Sequence, residues 1–140
     1  MFLPDVNVWI ALVFEAHVMH LPVAQWFGNL DRVTCRFCRL TQSGFLRLAT
    51  NPAVLGSNAR SMAQAWQLYD TLLKDARIAF SEEPTGTEHL WRARTYTTDY
   101  SPKVWADAYL AAFAEAGGCT LVTLDKALAA KEGNRAVLLD

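Results

Sequence analysis

The chain has 140 residues, of which 52% are hydrophobic and 19% charged, and its formal net charge is −1. A chain of this length buries about two thirds of the surface that it exposes when unfolded, so we predict one domain over residues 1–140. The composition excludes a disordered segment and a polybasic tail that holds nucleic acid through charge alone.

The apolar start of the chain raises the question of a signal peptide or a membrane span. The first 14 residues contain Asp5 and Asn7, lack a basic start and fall short of the ~20 residues that a spanning helix needs. We therefore expect them to join the core and expect no membrane association. Three cysteines are too few, and odd in number, for a secreted disulfide framework, which favours a cytoplasmic location.

Short apolar runs alternate along the chain with longer segments of helical periodicity. In chain order they predict strand 2–5, helix 6–16, helix 21–30, strand 32–37, helix 41–49, helix 57–75, strand 77–81, helix 87–95, helix 102–116, strand 119–125, helix 126–131 and strand 136–139. Strands that are apolar throughout and alternate with helices predict an α/β fold. We expect a three-layer sandwich, with a central, mostly parallel sheet flanked by helices on both faces.

Three aspartates stand out against this apolar background. Asp5 and Asp125 follow predicted strands, and ligands of parallel sheets bind at the carboxyl ends of the strands. Each also precedes a helix, where an aspartate commonly serves only as the N-cap. Asp107 is the one charged residue between Val104 and Ala114, so its carboxylate is expected to face a polar cleft rather than the core.

A cluster of these acids would need a cation. Two carboxylates a few ångströms apart repel by roughly 4 kcal/mol at an effective dielectric constant near 20. Oxygen ligands without an accompanying set of histidines and cysteines favour Mg²⁺ or Mn²⁺ over Zn²⁺. The sequence therefore predicts a divalent metal site if the three acids converge.

Four segments, in this order, resemble one known family. They are LPDVNVW at residues 3–9, LTQSGFLRL at 40–48 with Asn51-Pro52 behind it, WADAYLAA at 105–112 and LVTLDK at 121–126. Together they are similar to PIN-domain ribonucleases, and most of all to the VapC toxins of type II toxin–antitoxin modules. The resemblance implies a PIN-like sandwich and a metal-dependent endoribonuclease that hydrolyses RNA phosphodiester bonds in an acidic cleft.

The resemblance also implies roles for individual residues. Asp5 and Asp107 match the family's principal metal ligands and Asp125 its C-terminal acid, so these three are the predicted catalytic and metal-binding residues, for Mg²⁺ or else Mn²⁺. Asn7 and Thr123 match polar positions that support the site. With three acids where four are often found, we predict one firmly bound ion in the free protein.

Gln42 departs from the family pattern, because many relatives carry a glutamate at the position that it matches. A glutamine keeps an oxygen donor but removes a charge, and we count it as a supporting residue. Arg36, Arg39 and Arg47 surround it in sequence. We predict that Arg36 and Arg39 contact the RNA backbone, with ordinary surface charge as the alternative.

From the resemblance alone we expect a homodimer that a small VapB-type antitoxin holds inactive. Two other functions stay open. One is an α/β metal-dependent phosphohydrolase of another family, which is disfavoured because a D-x-D motif would need an acid at Asn7. The other is a catalytically weak PIN-like module that binds RNA without cutting it.

Two further motifs have a metal-binding or redox interpretation. Cys35 and Cys38 have the C-x-x-C spacing of a zinc half-site or a redox pair, but no histidine lies close in sequence. We predict buried, inert thiols. His17 and His20 are three residues apart, and we expect them to serve a turn or a helix cap.

Overall fold

The structure, a computed structural model, describes residues 1–32 and 34–140. Within these residues it has five strands: β1 (Phe2–Pro4), β2 (Cys35–Phe37), β3 (Ile78–Phe80), β4 (Thr120–Thr123) and β5 (Ala136–Leu138). The same residues form eight α-helices: α1 (Val6–Val13), α2 (His20–Gly28), α3 (Arg39–Ala49), α4 (Pro52–Leu55), α5 (Met62–Leu73), α6 (Thr87–Thr95), α7 (Val104–Gly117) and α8 (Lys126–Glu132). Among the described residues, no helix is long and apolar enough to cross a membrane.

The strands form one sheet in the order β3-β2-β1-β4-β5, and every neighbouring pair is parallel. In the register, Phe2 of β1 lies beside Cys35 of β2, and Leu3 lies beside Leu121 of β4. The chain moves from β1 to one side of the sheet and later returns to the other side at β4. The crevice at the carboxyl ends of β1 and β4 is therefore the place where an open parallel sheet binds ligands.

Helices cover both faces of the sheet, which confirms the predicted three-layer sandwich. On one face, Phe2 and Phe37 pack with apolar residues of α1, α2, α3 and α5, and the rings of Trp9 and Phe37 stack with centroids 3.9 Å apart. On the other face, Leu3 and Leu121 pack against α7 and α8. Successive residues of a strand point to opposite faces, so apolar residues at every position of a strand require helices on both sides.

Several predicted boundaries are corrected by local capping. Helix α5 begins at Met62 rather than at residue 57, because Ser61 and Gln64 form a capping box that starts the helix there. Asn51-Pro52 ends α3 and also starts α4, a helix that the sequence pattern did not predict. The Asn51 side chain accepts a hydrogen bond from the Ala53 backbone N–H at 3.0 Å.

Two further boundaries bear on the site. Helix α7 begins at Val104 rather than at Pro102, so Asp107 lies in its first turn and not in its middle. Strand β2 spans Cys35–Phe37, shorter than the predicted 32–37. Val33, which belongs to the predicted strand, lies outside the described residues.

Candidate functional site

Asp5 is held in place by the turn from β1 into α1. Its backbone N–H donates to the Val122 carbonyl of β4 at 2.9 Å, which continues the sheet pairing by one residue. Its Oδ1 accepts a hydrogen bond from the Val8 backbone N–H at 3.1 Å and so caps α1. Its Oδ2 accepts a hydrogen bond from the Thr123 hydroxyl. The carboxylate, on a residue only 9% exposed, therefore has a fixed direction.

Thr123, the last residue of β4, connects two of the three acids. Its hydroxyl donates to Asp5, and the same oxygen accepts a hydrogen bond from the Asp125 backbone N–H at 3.0 Å. One buried side chain thus orients the carboxylate after β1 and the loop after β4.

Asp5 and Asp107 face one cavity of about 370 Å³. Its remaining lining comes from α1, α3 and α7: Val6, Asn7, Leu40, Ser43, Gly44, Arg47, Ala106 and Leu110. A second cavity, of about 160 Å³, lies on the other side of Asp107. Its lining residues are Arg94, Val104, Asp107, Ala108, Asp125, Ala127, Leu128, Lys131 and Glu132. Asp107 is therefore the central acid, shared by both cavities.

The protonation of two acids reflects this arrangement. Burial is the main reason why the pKa of Asp5 is raised, and the negative charge of Asp107 raises it further, against the hydrogen bonds from Thr123 and Val8. Burial also raises the pKa of Asp107, followed by the charge of Asp125, while Lys131 acts in the opposite direction. In the part of the chain that the structure describes, none of the three aspartates is in an ion pair. An added cation would relieve both repulsions.

Asp125 is placed differently from the other two acids. It is exposed, and its Oδ1 caps α8 by accepting hydrogen bonds from the backbone N–H groups of Ala127 at 2.8 Å and Leu128 at 3.0 Å. Across residues 1–32 and 34–140, no group of three His, Cys, Asp or Glu side chains is arranged to hold one metal ion. The structure thus brings together Asp5 with Asp107, and Asp107 with Asp125, but not all three acids in one compact group.

Gln42, predicted as a supporting residue, lines neither of the two acidic cavities. Its Oε1 accepts a hydrogen bond from Arg39 Nη1 at 2.5 Å. Burial raises the pKa of the Tyr69 phenol of α5, and the Gln42 side chain lies close enough to that phenol to lower its pKa in turn. Each residue of an α-helix is rotated by about 100° from the one before, so the neighbours of Gln42 face elsewhere. Ser43 and Arg47, four residues apart on α3, are the side chains that line the cavity of Asp5.

The two arginines predicted to contact RNA lie outside both acidic cavities. Arg39 places its guanidinium 4.6 Å from the centre of the Phe80 ring, and Arg36, on β2, lies close enough to Cys119 to affect the pKa of its thiol. The cations that line the two acidic cavities are Arg47, Lys131 and Arg94. Arg47 was noted from the sequence only as a neighbour of Gln42, and Lys131 was not predicted. The sequence feature that could have pointed to Lys131 is helical spacing. Lys131 lies four residues after Ala127 on α8, so the two residues face the same cavity.

The other candidate motifs have structural explanations. Cys35 packs with the helices on one face of the sheet and Cys38 with Leu3 on the other, so they do not form a zinc half-site. Burial raises the pKa of Cys35 to about 12, as expected for an inert thiol. His17 Nδ1 accepts from the Met19 N–H at 3.0 Å, and His20 Nδ1 lies 2.8 Å from the Ala11 carbonyl oxygen.

Comparison with known sequences identifies the family. The family model of the PIN domain matches residues 2–134. Ribonuclease VapC41 of Mycobacterium tuberculosis is 44% identical over 132 residues, which cover 91% of this chain and 90% of that protein. Ribonuclease VapC44 of the same species is 32% identical over 128 residues, covering 89% of this chain and 86% of that protein.

Solved structures share the fold at lower identity. The crystal structure of M. tuberculosis VapC20, described as a sarcin–ricin loop cleaving toxin, has a TM-score of 0.64 and 15% identity, covering 94% of this chain and 95% of that one. The crystal structure of FitAcB from Neisseria gonorrhoeae has a TM-score of 0.62 and 18% identity, covering 100% and 97%. Fold, matched residues and identity over most of the length lead to one conclusion: the chain belongs to the PIN domain family, among its VapC ribonucleases.

Proposed function

We propose that this chain is a metal-dependent endoribonuclease, the toxin of a type II toxin–antitoxin module, and that it hydrolyses RNA phosphodiester bonds at Asp5 and Asp107. One observation carries the proposal. The two carboxylates face the same cavity, and no described ion pair neutralises either of them. Membership of the VapC ribonucleases supports the reaction and the RNA substrate.

The donor set fits a hard divalent cation, Mg²⁺ or Mn²⁺. Asp5 already accepts one hydrogen bond on each carboxylate oxygen, and each oxygen keeps a second lone pair for an ion. Carboxylate oxygens are the ligands that Mg²⁺ prefers in proteins. We propose Asp5 and Asp107 as the protein ligands of one firmly held ion, with Asp125 beside them on the far side of Asp107.

Bound there, the metal would polarise the phosphodiester and lower the pKa of an attacking water molecule. The chain's own residues do the positioning. Thr123 donates its hydroxyl hydrogen to Oδ2 of Asp5, which stabilises the charged carboxylate and keeps that oxygen an acceptor. The cap from Val8 keeps the carboxylate from rotating. Asn7 and Ser43 bring neutral polar groups to the cavity, where they can donate or accept hydrogen bonds without changing its charge.

The regulation and assembly follow from the family. We propose that a small VapB-type antitoxin binds this chain and blocks cleavage, that the chain is a homodimer, and that it acts in the cytoplasm. Co-expression with the antitoxin from the neighbouring gene should abolish cleavage and yield a stable complex on size-exclusion chromatography with light scattering. A chain that stays monomeric at micromolar concentration would contradict the dimer.

The central experiment is a cleavage assay with purified protein and a labelled single-stranded RNA. We expect fragments to appear with Mg²⁺ or Mn²⁺ and to disappear with a chelator. Asp107→Asn should abolish cleavage while leaving the circular dichroism spectrum unchanged. An Asp107→Asn variant with full metal-dependent activity would contradict the proposed site. RNA binding by the wild-type protein without cleavage in any metal would favour a binding module instead.

A further inference from the structure

We propose that the RNA strand crosses the cleft between two phosphate-binding cations, Arg47 on one side of the acids and Lys131 on the other. This inference rests on the proposed function, because it describes how the substrate of that reaction is held. The ligand of each cation is a phosphate of the backbone of single-stranded RNA. The phosphodiester that is cut lies between the two cations, at the acids.

The two cations reach the acids through different cavities. Arg47 lines the cavity that contains Asp5 and Asp107, whereas Lys131 lines the cavity that contains Asp107 and Asp125. Neither cation lines the other's cavity, and Asp107 is the acid common to both. A strand with its reacting phosphodiester at Asp107 would therefore meet one cation in each direction.

Both cations are available to a ligand. The side chains of Arg47 and Lys131 belong to exposed residues, and neither is in an ion pair with any residue that the structure describes. Arg94, which also lines the cavity of Lys131, is already committed. It contacts Glu115 at 2.5 Å and Glu132 at 3.0 Å, so the two carboxylates compensate its charge.

A further polar cavity continues the path beyond Lys131. It has a volume of about 120 Å³, shares Arg94, Val104 and Lys131 with the cavity of Asp125, and presents hydroxyl groups that can bind phosphate or ribose oxygens. The lining residues that it adds are Thr95, Thr97, Asp99, Ser101 and Trp105. Asp99 is acidic, which leaves Lys131, at the junction of the two cavities, as the uncompensated positive charge on this side.

A simpler role for Lys131 would be to balance the charge of Asp107 and Asp125. The two roles have different consequences for RNA binding. A lysine that only balances acids competes with the metal, so its removal would tighten Mg²⁺ binding and leave RNA affinity unchanged. A phosphate contact instead contributes to RNA affinity and to its dependence on salt, because counterions are released from the RNA.

The test measures RNA binding in a protein that cannot cut. The background is Asp5→Asn in the presence of a chelator, the probe is a fluorescein-labelled single-stranded RNA of mixed sequence, and the readout is anisotropy over a series of NaCl concentrations. We expect Lys131→Gln and Arg47→Gln each to reduce the slope of log K against log salt by about 0.7, which is about fivefold in affinity near 0.1 M salt. The double variant should lose about twice that slope. Lys131→Arg should restore it.

Matched controls come from the opposite edge of the sheet. Arg32 precedes β2 and Lys74 precedes β3, so both exposed cations lie at the amino ends of the strands, away from the acids. Arg32→Gln and Lys74→Gln should leave the slope unchanged. Slopes for Arg47→Gln and Lys131→Gln that equal those of the controls would overturn the inference. Failure of the wild-type protein to cleave RNA would instead overturn the proposed function, whatever the slopes of log K against log salt for the variants.

Discussion

The sharpest test of the site compares two substitutions of Asp5. Asparagine has the shape of aspartate and is an equally good N-cap, so Asp5→Asn can keep the hydrogen bond from the Val8 N–H at 3.1 Å. Alanine removes that bond and also leaves the buried Thr123 hydroxyl without its acceptor. Asparagine has one acceptor oxygen where aspartate has two, so when that oxygen caps Val8 its amide nitrogen faces Thr123, and the Thr123 hydroxyl loses its acceptor in both variants. The two variants therefore share the loss of charge and differ in the N-cap.

The magnitudes follow from these contacts. Loss of the N-cap costs about 0.5–2 kcal/mol, and loss of a hydrogen bond to a charged group costs about 1.5–3 kcal/mol. Asp5→Ala should thus lower the free energy of unfolding by roughly 2–5 kcal/mol, less whatever relief comes from removing a buried charge. At about 3 °C per kcal/mol for a domain of this size, that is a fall in Tm of roughly 6–15 °C.

In the metal-free protein at pH 7, Asp5→Asn should be more stable than Asp5→Ala by the contribution of the N-cap, about 0.5–2 kcal/mol. Burial raises the pKa of Asp5, so the native carboxyl stabilises the fold below its ordinary pKa, and this contribution is lost as the pH rises through the raised value. The stability of Asp5→Asn relative to the wild type should accordingly rise with pH across that window.

The assay is differential scanning calorimetry in chelator, repeated with Mg²⁺, alongside RNA cleavage. Both variants should be inactive, and only the wild type should gain stability from Mg²⁺. If Asp5→Asn lost as much stability as Asp5→Ala, the N-cap on Val8 would contribute nothing and the reasoning would be refuted. If Asp5→Asn cleaved RNA at the wild-type rate, the assignment of Asp5 as a metal ligand would fail.

Three further predictions concern the rest of the molecule. Saturation with Mg²⁺ at about 100 times its Kd should stabilise the wild type by about 2.7 kcal/mol in a thermal melt, and Asp107→Asn should abolish that gain. Arg94→Met should cost roughly 3 kcal/mol in urea unfolding, because it leaves Glu132, whose side chain is 6% exposed, without its nearest partner; a loss below about 1 kcal/mol would contradict this. Gly44→Ala should destabilise the protein by about 1–3 kcal/mol, since the new Cβ would lie 2.6 Å from Cγ2 of Val6, and Val6→Ala in the same chain should recover most of the loss.

Much of the site was predictable because its signals are local. Apolar strands alternating with helices predicted the covered parallel sheet, and parallel strands bring Asp5 and Asp125 to one edge. Asp107 was conspicuous as a lone charge in an apolar helix, and the structure shows it lining both acidic cavities. The motifs around these acids were also sufficient to predict the family that the comparisons confirm.

The misplaced residues share a different physical cause. Gln42 and Ser43 are neighbours on α3, and only the rotation of that helix against α1 and α5 decides that Ser43 faces the acids and Gln42 faces Tyr69. Asp125 is exposed and caps α8, the alternative that its sequence position left open.

By itself, then, the sequence determined the order of the elements, the layers of the fold and the three acids at its binding edge, because periodicity, strand ends and helix caps act over a few residues. Tertiary structure alone decided which acids share a cavity and which cations lie beside them. Arg47 and Lys131 are 84 residues apart along the chain, and they flank Asp107 only because α3 and α8 pack on opposite faces of one sheet.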